Sequence, residues 1–296
     1  MKGITSKWKI WSVLFVVIVF VGMVLLGVTG FNKSIDAKEH YEIKVTATDI
    51  QAADTDDLRI AVENYFKQEK ATPVWDATEV YNSGETIVYK FYDNAENLVA
   101  GVKSASDTAL SGKGIEVSVN LNVVKPTLMG GIVNSCTAFA VFTAIIFVIT
   151  LGFDKIKNAL TVILSGFFTS LLAISIATIT RLAVGATFIP IVLTGAVLSN
   201  IITVLVTKTA RKNMLENEKS CAFKSIELAT AKTASAIFLG LGALIVASLV
   251  FVILGGALLK NIGLVTIVTV ISTAFTVYAL APTVWAFMHG KKGDVE

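Results

Sequence analysis

The sequence predicts an α-helical polytopic membrane protein: six transmembrane helices, with a small external α+β domain between helices 1 and 2. Three observations predict it. Of 296 residues, 54% are hydrophobic and 16% charged, with a mean hydropathy of +0.72, whereas soluble domains carry about a quarter charged residues. The apolar residues gather into six uncharged runs, each long enough at ~1.5 Å per residue to cross a hydrocarbon core of ~30 Å. Polar composition returns in one long block, residues 31–128, after the first run.

Residues 1–9 are short and basic (Lys2, Lys7, Lys9), and 10–28 form the first apolar run. A cleaved signal peptide has an apolar region of roughly 7 to 15 residues. This longer run is read as an uncleaved span, so residues 1–30 form a cytoplasmic N-terminus and the first helix.

Within residues 31–128 three segments alternate as half-buried strands do: 42–48 (Ile43, Val45, Ala47), 86–92 (Ile87, Tyr89, Phe91) and 115–123 (Ile115, Val117, Val119, Leu121, Val123). Between the first two, Asp54 or Thr55 is expected to cap a helix with the apolar face Leu58, Ala61, Val62, Tyr65 and Phe66. A second helix is expected over 95–109, with Leu98, Val102, Ala105 and Ala109 at helical spacing. A weaker strand over 74–81 leads into the turn Asn82, Ser83, Gly84. The order β-α-β-β-α-β is that of a split, ferredoxin-like unit. Asp54, Asp56, Asp57 and Glu63 make an acidic helix start, which dipole compensation explains without a binding site.

From residue 129 to 289 the chain is membrane again, with runs at 130–153, 158–180, 182–207, 233–259 and 261–288. Lysine and arginine set their orientation. Lys155 and Lys157, the segment Lys208, Arg211, Lys212, Lys219 and Lys224, and the tail residues Lys291 and Lys292 fall on one side, with only Arg181 and Lys260 in the short loops of the other. The expectation is a multi-pass membrane protein, both termini and the 290–296 tail cytoplasmic, the α+β domain outside.

Chemistry-bearing patterns are few. Cys136 and Cys221 offer neither a disulfide framework nor metal-ligand spacing, and there are two histidines, His40 and His289. No nucleophile with a paired base, phosphate-cradling loop or nucleotide motif is present. No catalytic residue, cofactor or metal is expected, and the net charge of +3 gives no nucleic-acid footprint. The spans are rich in Ser, Thr and Gly, as close helix packing requires. There is no Asp or Glu between Lys157 and Glu216, so an intramembrane carboxylate relay is missing there. Asn200 and Lys232 are the remaining candidates for a transmembrane polar pathway. For Asn200 the alternative is an interhelical hydrogen bond; for Lys232 it is an ammonium that snorkels to the interface.

Several short segments carry a family resemblance. Val124-Lys125-Pro126-Thr127-Leu128 resembles a Val-Gly-Pro-Thr-Leu lead into a second span. The segment 225–235 has Lys232 where that family has an arginine before a threonine, Gly255-Gly256-Ala257-Leu258-Leu259-Lys260-Asn261-Ile262 follows its paired-glycine pattern, and Ala281-Pro282 matches near the last span's end. With one span, a ferredoxin-like domain and five more spans, the chain resembles SecF, the smaller partner of SecD in the bacterial Sec accessory complex, of the resistance-nodulation-division superfamily. It departs from the pattern in two places. The family's Gly-Ile-Asp-Phe-x-Gly-Gly is here Ser34-Ile35-Asp36-Ala37-Lys38-Glu39-His40. Aligning the end of the family's fourth span on Arg211-Lys212-Asn213 puts Ile202 where its membrane carboxylate stands, with Asn200 close by.

The resemblance implies a subunit that assists protein export driven by the proton-motive force. Its partners would be a SecD-like subunit, a SecYEG-type translocon, the translocating polypeptide and membrane lipid. Any proton coupling would then reside in the partner or be absent. The alternatives are half of a lipid or small-molecule exporter, and a non-transporting scaffold for the translocon.

Overall fold

A computed structural model describes residues 7–48, 50–81, 85–125, 128–153, 156–216 and 221–290. The predicted turn at Asn82, Ser83 and Gly84 lies outside the described residues, as do Lys2, Pro126, Thr127, Lys155, Lys219 and the tail from Lys291. The chain divides into two units, one built on Lys33–Leu128 and the other on the spans before and after it.

The α+β unit runs β1 (His40–Ala47), α2 (Ala52–Gln68), β2 (Glu79–Tyr81), β3 (Thr86–Phe91), α3 (Val99–Ala109) and β4 (Val117–Val124), after the first span α1 (Trp8–Thr29). The strands form one antiparallel sheet in the order β2-β3-β1-β4. Ile43, Val45 and Ala47 of β1 alternate onto the helix face and, with Leu58, Val62 and Phe66 of α2, Val102 of α3 and Ile87, Tyr89 and Phe91 of β3, close the core. Phe66 meets the rings of Tyr89 and Phe91 edge-on at 5.0 and 5.2 Å. Burial, and then the negative charge of Glu63, push the Tyr89 phenol upward.

Four local expectations are corrected. β3 is not half-buried: every residue in it is buried, because it lies inside the sheet and carries a polar cluster on its other face. There Lys90 Nζ reaches Glu79 Oε1 at 2.9 Å and Glu42 Oε1 at 3.7 Å, and His40 Nε2 lies 3.3 Å from Glu42 Oε1. Burial alone would raise the Glu79 carboxyl, but hydrogen bonds from Tyr81 and Lys90 hold it below its usual range. α2 begins at Ala52, with Gln51 before it taking the Asp54 N–H on its carbonyl. Asp54 lies inside the first turn, and Lys113 Nζ joins it to Asp57 at 2.6 and 3.2 Å. The strand expected over 74–81 shortens to Glu79–Tyr81, because Trp75–Ala77 folds as a 3₁₀ turn. On β4 the alternation stops at Leu121, and Val123 is exposed.

The other unit contains six helices long and apolar enough to span a membrane: α1, α4 (Leu128–Phe153), α5 (Ile156–Ile179), α6 (Phe188–Glu216), α7 (Ala222–Leu254), and a last span made of α8 (Ala257–Phe275), a π-helical turn (Thr276–Leu280) and α9 (Ala281–His289). The expected 182–207 span starts later, since residues 182–187 are a connection: Arg181 takes a left-handed φ of 54° and Val184 N–H donates to Asn32 O. α6 and α7 also extend into the basic segment expected to lie between them, because charge ends a hydrophobic run without ending a helix. The π turn precedes Pro282. With no N–H there, the carbonyl one turn earlier loses its usual donor and the ladder widens.

Candidate functional site: the polar seam of the bundle

α5, α6 and the last span meet along a line of small and hydroxyl side chains. Gly22 of α1 packs on the Ser175 backbone of α5, and Gly195 of α6 packs on Thr269 of α8. A Cβ on Gly166 would stand 2.5 Å from Asn200 Oδ1. Such approaches require glycine, and they bring neighbouring polar groups together out of water.

Asn200 is fully buried and accepts a hydrogen bond from Ser165 Oγ at 3.3 Å. The structure therefore places it between α5 and α6 as an interhelical partner. Thr273 Oγ1 likewise crosses from α8 to Gly195 O, 3.3 Å away. Thr161, Thr207 and Thr283 turn their hydroxyls to the carbonyl four residues back in their own helix. By contrast, the hydroxyls of Thr169, Ser199, Thr203, Thr269 and Thr276, and Asn200 Nδ2, are buried with no partner among the described residues. Each such group costs about 1–3 kcal/mol, so their gathering in one seam distinguishes it from plain apolar packing. Ile202 points elsewhere: it is buried in the apolar cluster with Val206, Ile237, Val270 and Val277.

Lys232 is not part of this seam. It is exposed, and its Nζ donates to Asn213 Oδ1 at 3.2 Å. Asn213 lies thirteen residues beyond Asn200 on α6, ~20 Å along the axis. The two sequence candidates are thus not brought together. Lys232 belongs to the basic end of the bundle, where Asn213 Nδ2 also meets Ser225 O at 3.4 Å.

Sequence reasoning missed the other contacts at that end. Trp285 Nε1 donates to Asn158 Oδ1 at 2.6 Å with both residues buried, and Lys157 Nζ donates to Met288 O at 2.6 Å. The signal available was an Asn at the mouth of one span and a Trp near the end of another. Nothing in the spacing of residues 127 apart joins them. Among the described residues no three His, Cys, Asp or Glu side chains gather as metal ligands.

Together the fold and seam define a class: a six-span helical membrane protein with a four-stranded antiparallel α+β insertion after its first span and an uncharged polar seam in its bundle. The arrangement of spans and α+β insertion is the fold of part of SecDF. Over 96% of its length the chain superposes on SecDF in its super-membrane-facing form at a TM-score of 0.67. It also superposes over 96% on SecDF from Thermus thermophilus, a translocon-associated membrane protein, at a TM-score of 0.62. Identity is 14% in both cases, and the chain spans 38% of the length of each. No protein-family model and no curated protein matches it.

Proposed function

We propose that this chain is a SecF-like half of a translocon accessory complex, pairing with a SecD-like half and assisting movement of polypeptide across the bacterial cytoplasmic membrane. The observation that carries this reading is the superposition of nearly the whole chain on little more than a third of SecDF, a translocon-associated protein in the Thermus structure. In this reading the α+β unit lies outside the cytoplasm and moves against an anchor of six spans. The positive-inside distribution of lysine and arginine supports that orientation.

The seam holds Asn200, Ser165, Ser199 and Thr203 where a proton carrier would need a titratable group, and Ile202 lies in an apolar cluster. Neutral amides and hydroxyls do not take up and release a proton near neutral pH. Proton coupling then belongs to the partner, and this chain is an anchor and lever, not an enzyme.

The exporter reading has one observation in its favour. A largely apolar groove of about 290 Å³ runs between α4 and α6, lined by Phe139, Phe142, Leu193 and Val197, and it suits an acyl chain. Purification of the tagged chain from gently solubilised membranes, followed by mass spectrometry, separates the two readings. Recovery of a SecD-like subunit with translocon components is the expected result. Recovery of a different transporter half without them would overturn the proposal in favour of export.

A further inference from the structure

The α5–α6 connection carries an arginine that orientation does not explain. Most basic residues of the loops fall on the opposite side of the bundle, whereas Arg181 stands in a short loop expected to lie outside. Its backbone is also unusual. Arg181 N–H donates to Thr178 O at 3.1 Å and Leu182 N–H donates to Ala177 O at 3.0 Å, the two bonds that close a helix through one left-handed residue. Glycine takes that position freely, while any other residue crowds its Cβ against the following carbonyl oxygen. Arginine occupies it here, and its side chain is engaged elsewhere.

That side chain reaches the exit of the first span. Arg181 Nη1 donates to Thr29 Oγ1 at 2.6 Å and to Gly30 O at 3.2 Å. Thr29 is oriented to accept, because its own hydroxyl donates to Leu25 O, 2.8 Å away. The grip is returned from the other strand of chain. Asn32 Nδ2 donates to Arg181 O at 2.8 Å, and Val184 N–H donates to Asn32 O at 2.7 Å. Between these polar contacts the Phe31 ring lies 5.8 Å from that of Phe188, against the cluster of Ala173, Ala177 and Val192. The chain has already left α1 at Gly30, which takes a φ of 64°, so no helix holds residues 30–32.

We infer that residues 181–184 form a clamp on the exit of the first span, so that the tether of the α+β unit starts beyond Asn32 and follows the α5–α6 connection instead of the end of α1. Hydrogen bonds running in both directions and one ring contact carry it. The bundle unit ends at Asn32 and the α+β unit begins at Lys33, so the clamp grips the last residues before the change of unit. It also accounts for an arginine at a position that favours glycine and on the side poor in basic residues. The inference goes beyond the function proposed above and holds whatever this chain pairs with or carries.

Hydrogen exchange of the full-length protein in lipid nanodiscs, read by mass spectrometry, tests it. The stretches 30–33 and 182–185 should be protected together. Arg181→Gly keeps the left-handed turn while removing the guanidinium, and Asn32→Ala removes the returning amide. Each should speed exchange in both stretches by about tenfold and leave residues 165–177 of α5 unchanged. Thr29→Val, which deletes a single acceptor, should have the same effect to a smaller degree. A nitroxide on Lys33→Cys, with Cys136 and Cys221 changed to alanine, should be restricted in the parent and released by Asn32→Ala. Exchange unaltered in Arg181→Gly, or faster only in the substituted stretch, would overturn the inference, since Arg181 would then do no more than end α5. Faster exchange throughout α5, or an unchanged nitroxide, would overturn it as well. Because both readouts use this chain alone, their failure is separable from failure of the co-purification.

Discussion

The α+β unit and the helical bundle bury polar groups by opposite rules. In the sheet, Lys90 is 6% exposed and Glu42 and Glu79 face it from the neighbouring strands. Period-two geometry sets such charges side by side. In the bundle, the groups buried along the seam are neutral, and six of them lack a partner among the described residues. A charge at mid-membrane costs about 2.5–3.5 kcal/mol or more, whereas a hydroxyl is small enough to let two helices touch. One unit pairs the charges it buries; the other buries neutral groups where helices approach closely.

The sharpest way to break that contrast is at the buried Trp285–Asn158 pair of the bundle. Trp285→Ala removes both a core side chain and the donor to Asn158, and should cost about 3–5 kcal/mol, seen as loss of folded protein in mild detergent. Gly166→Ala comes next. Its new Cβ would stand 2.5 Å from Asn200 Oδ1 and should cost about 1–3 kcal/mol by overpacking, lowering the thermal midpoint; Gly240→Ala, with open space around it, should not.

In the sheet, Glu79→Gln should lower stability at neutral pH by about 1–2 kcal/mol. The Glu79 carboxyl is held low in the folded state, so its contribution is present above the unfolded carboxylate value and disappears as pH falls through the lower folded one. Wild type and variant midpoints should therefore converge in acid. The smallest effect should come from Ser199→Ala. Deleting an unpartnered buried hydroxyl should leave the midpoint within about 0.5 kcal/mol of wild type or raise it. A large loss there would mean that Ser199 has a partner after all, and the contrast would fail.

The contrast was only partly legible in the sequence. Hydropathy located the six spans because lipid imposes one rule on every residue of a run, and alternation located β1 and β3 because one face of the sheet is apolar. Lys90 was invisible as a buried residue, since its partners sit on other strands and register is a tertiary property. Helix ends failed where charge and helix part company, as at Lys208–Glu216 in α6. Asn200 stood out as the amide near the middle of an uncharged span, and it does bridge two helices. Lys232 stood out for its charge, but α6 carries Asn213 out to meet it far from Asn200. The Asn158–Trp285 pair left no pattern, because helix packing and not spacing joins those residues.

The most direct test of the account concerns protons. Its central claim is that the seam between α5, α6 and the last span is polar without being titratable, so that any proton coupling of the proposed complex would come from a partner. The purified chain, reconstituted alone in liposomes with an imposed pH gradient and a pH-sensitive dye inside, should dissipate that gradient no faster than protein-free liposomes. Flux that rises with protein content and is abolished by Asn200→Leu would contradict the claim and place a proton path in the seam.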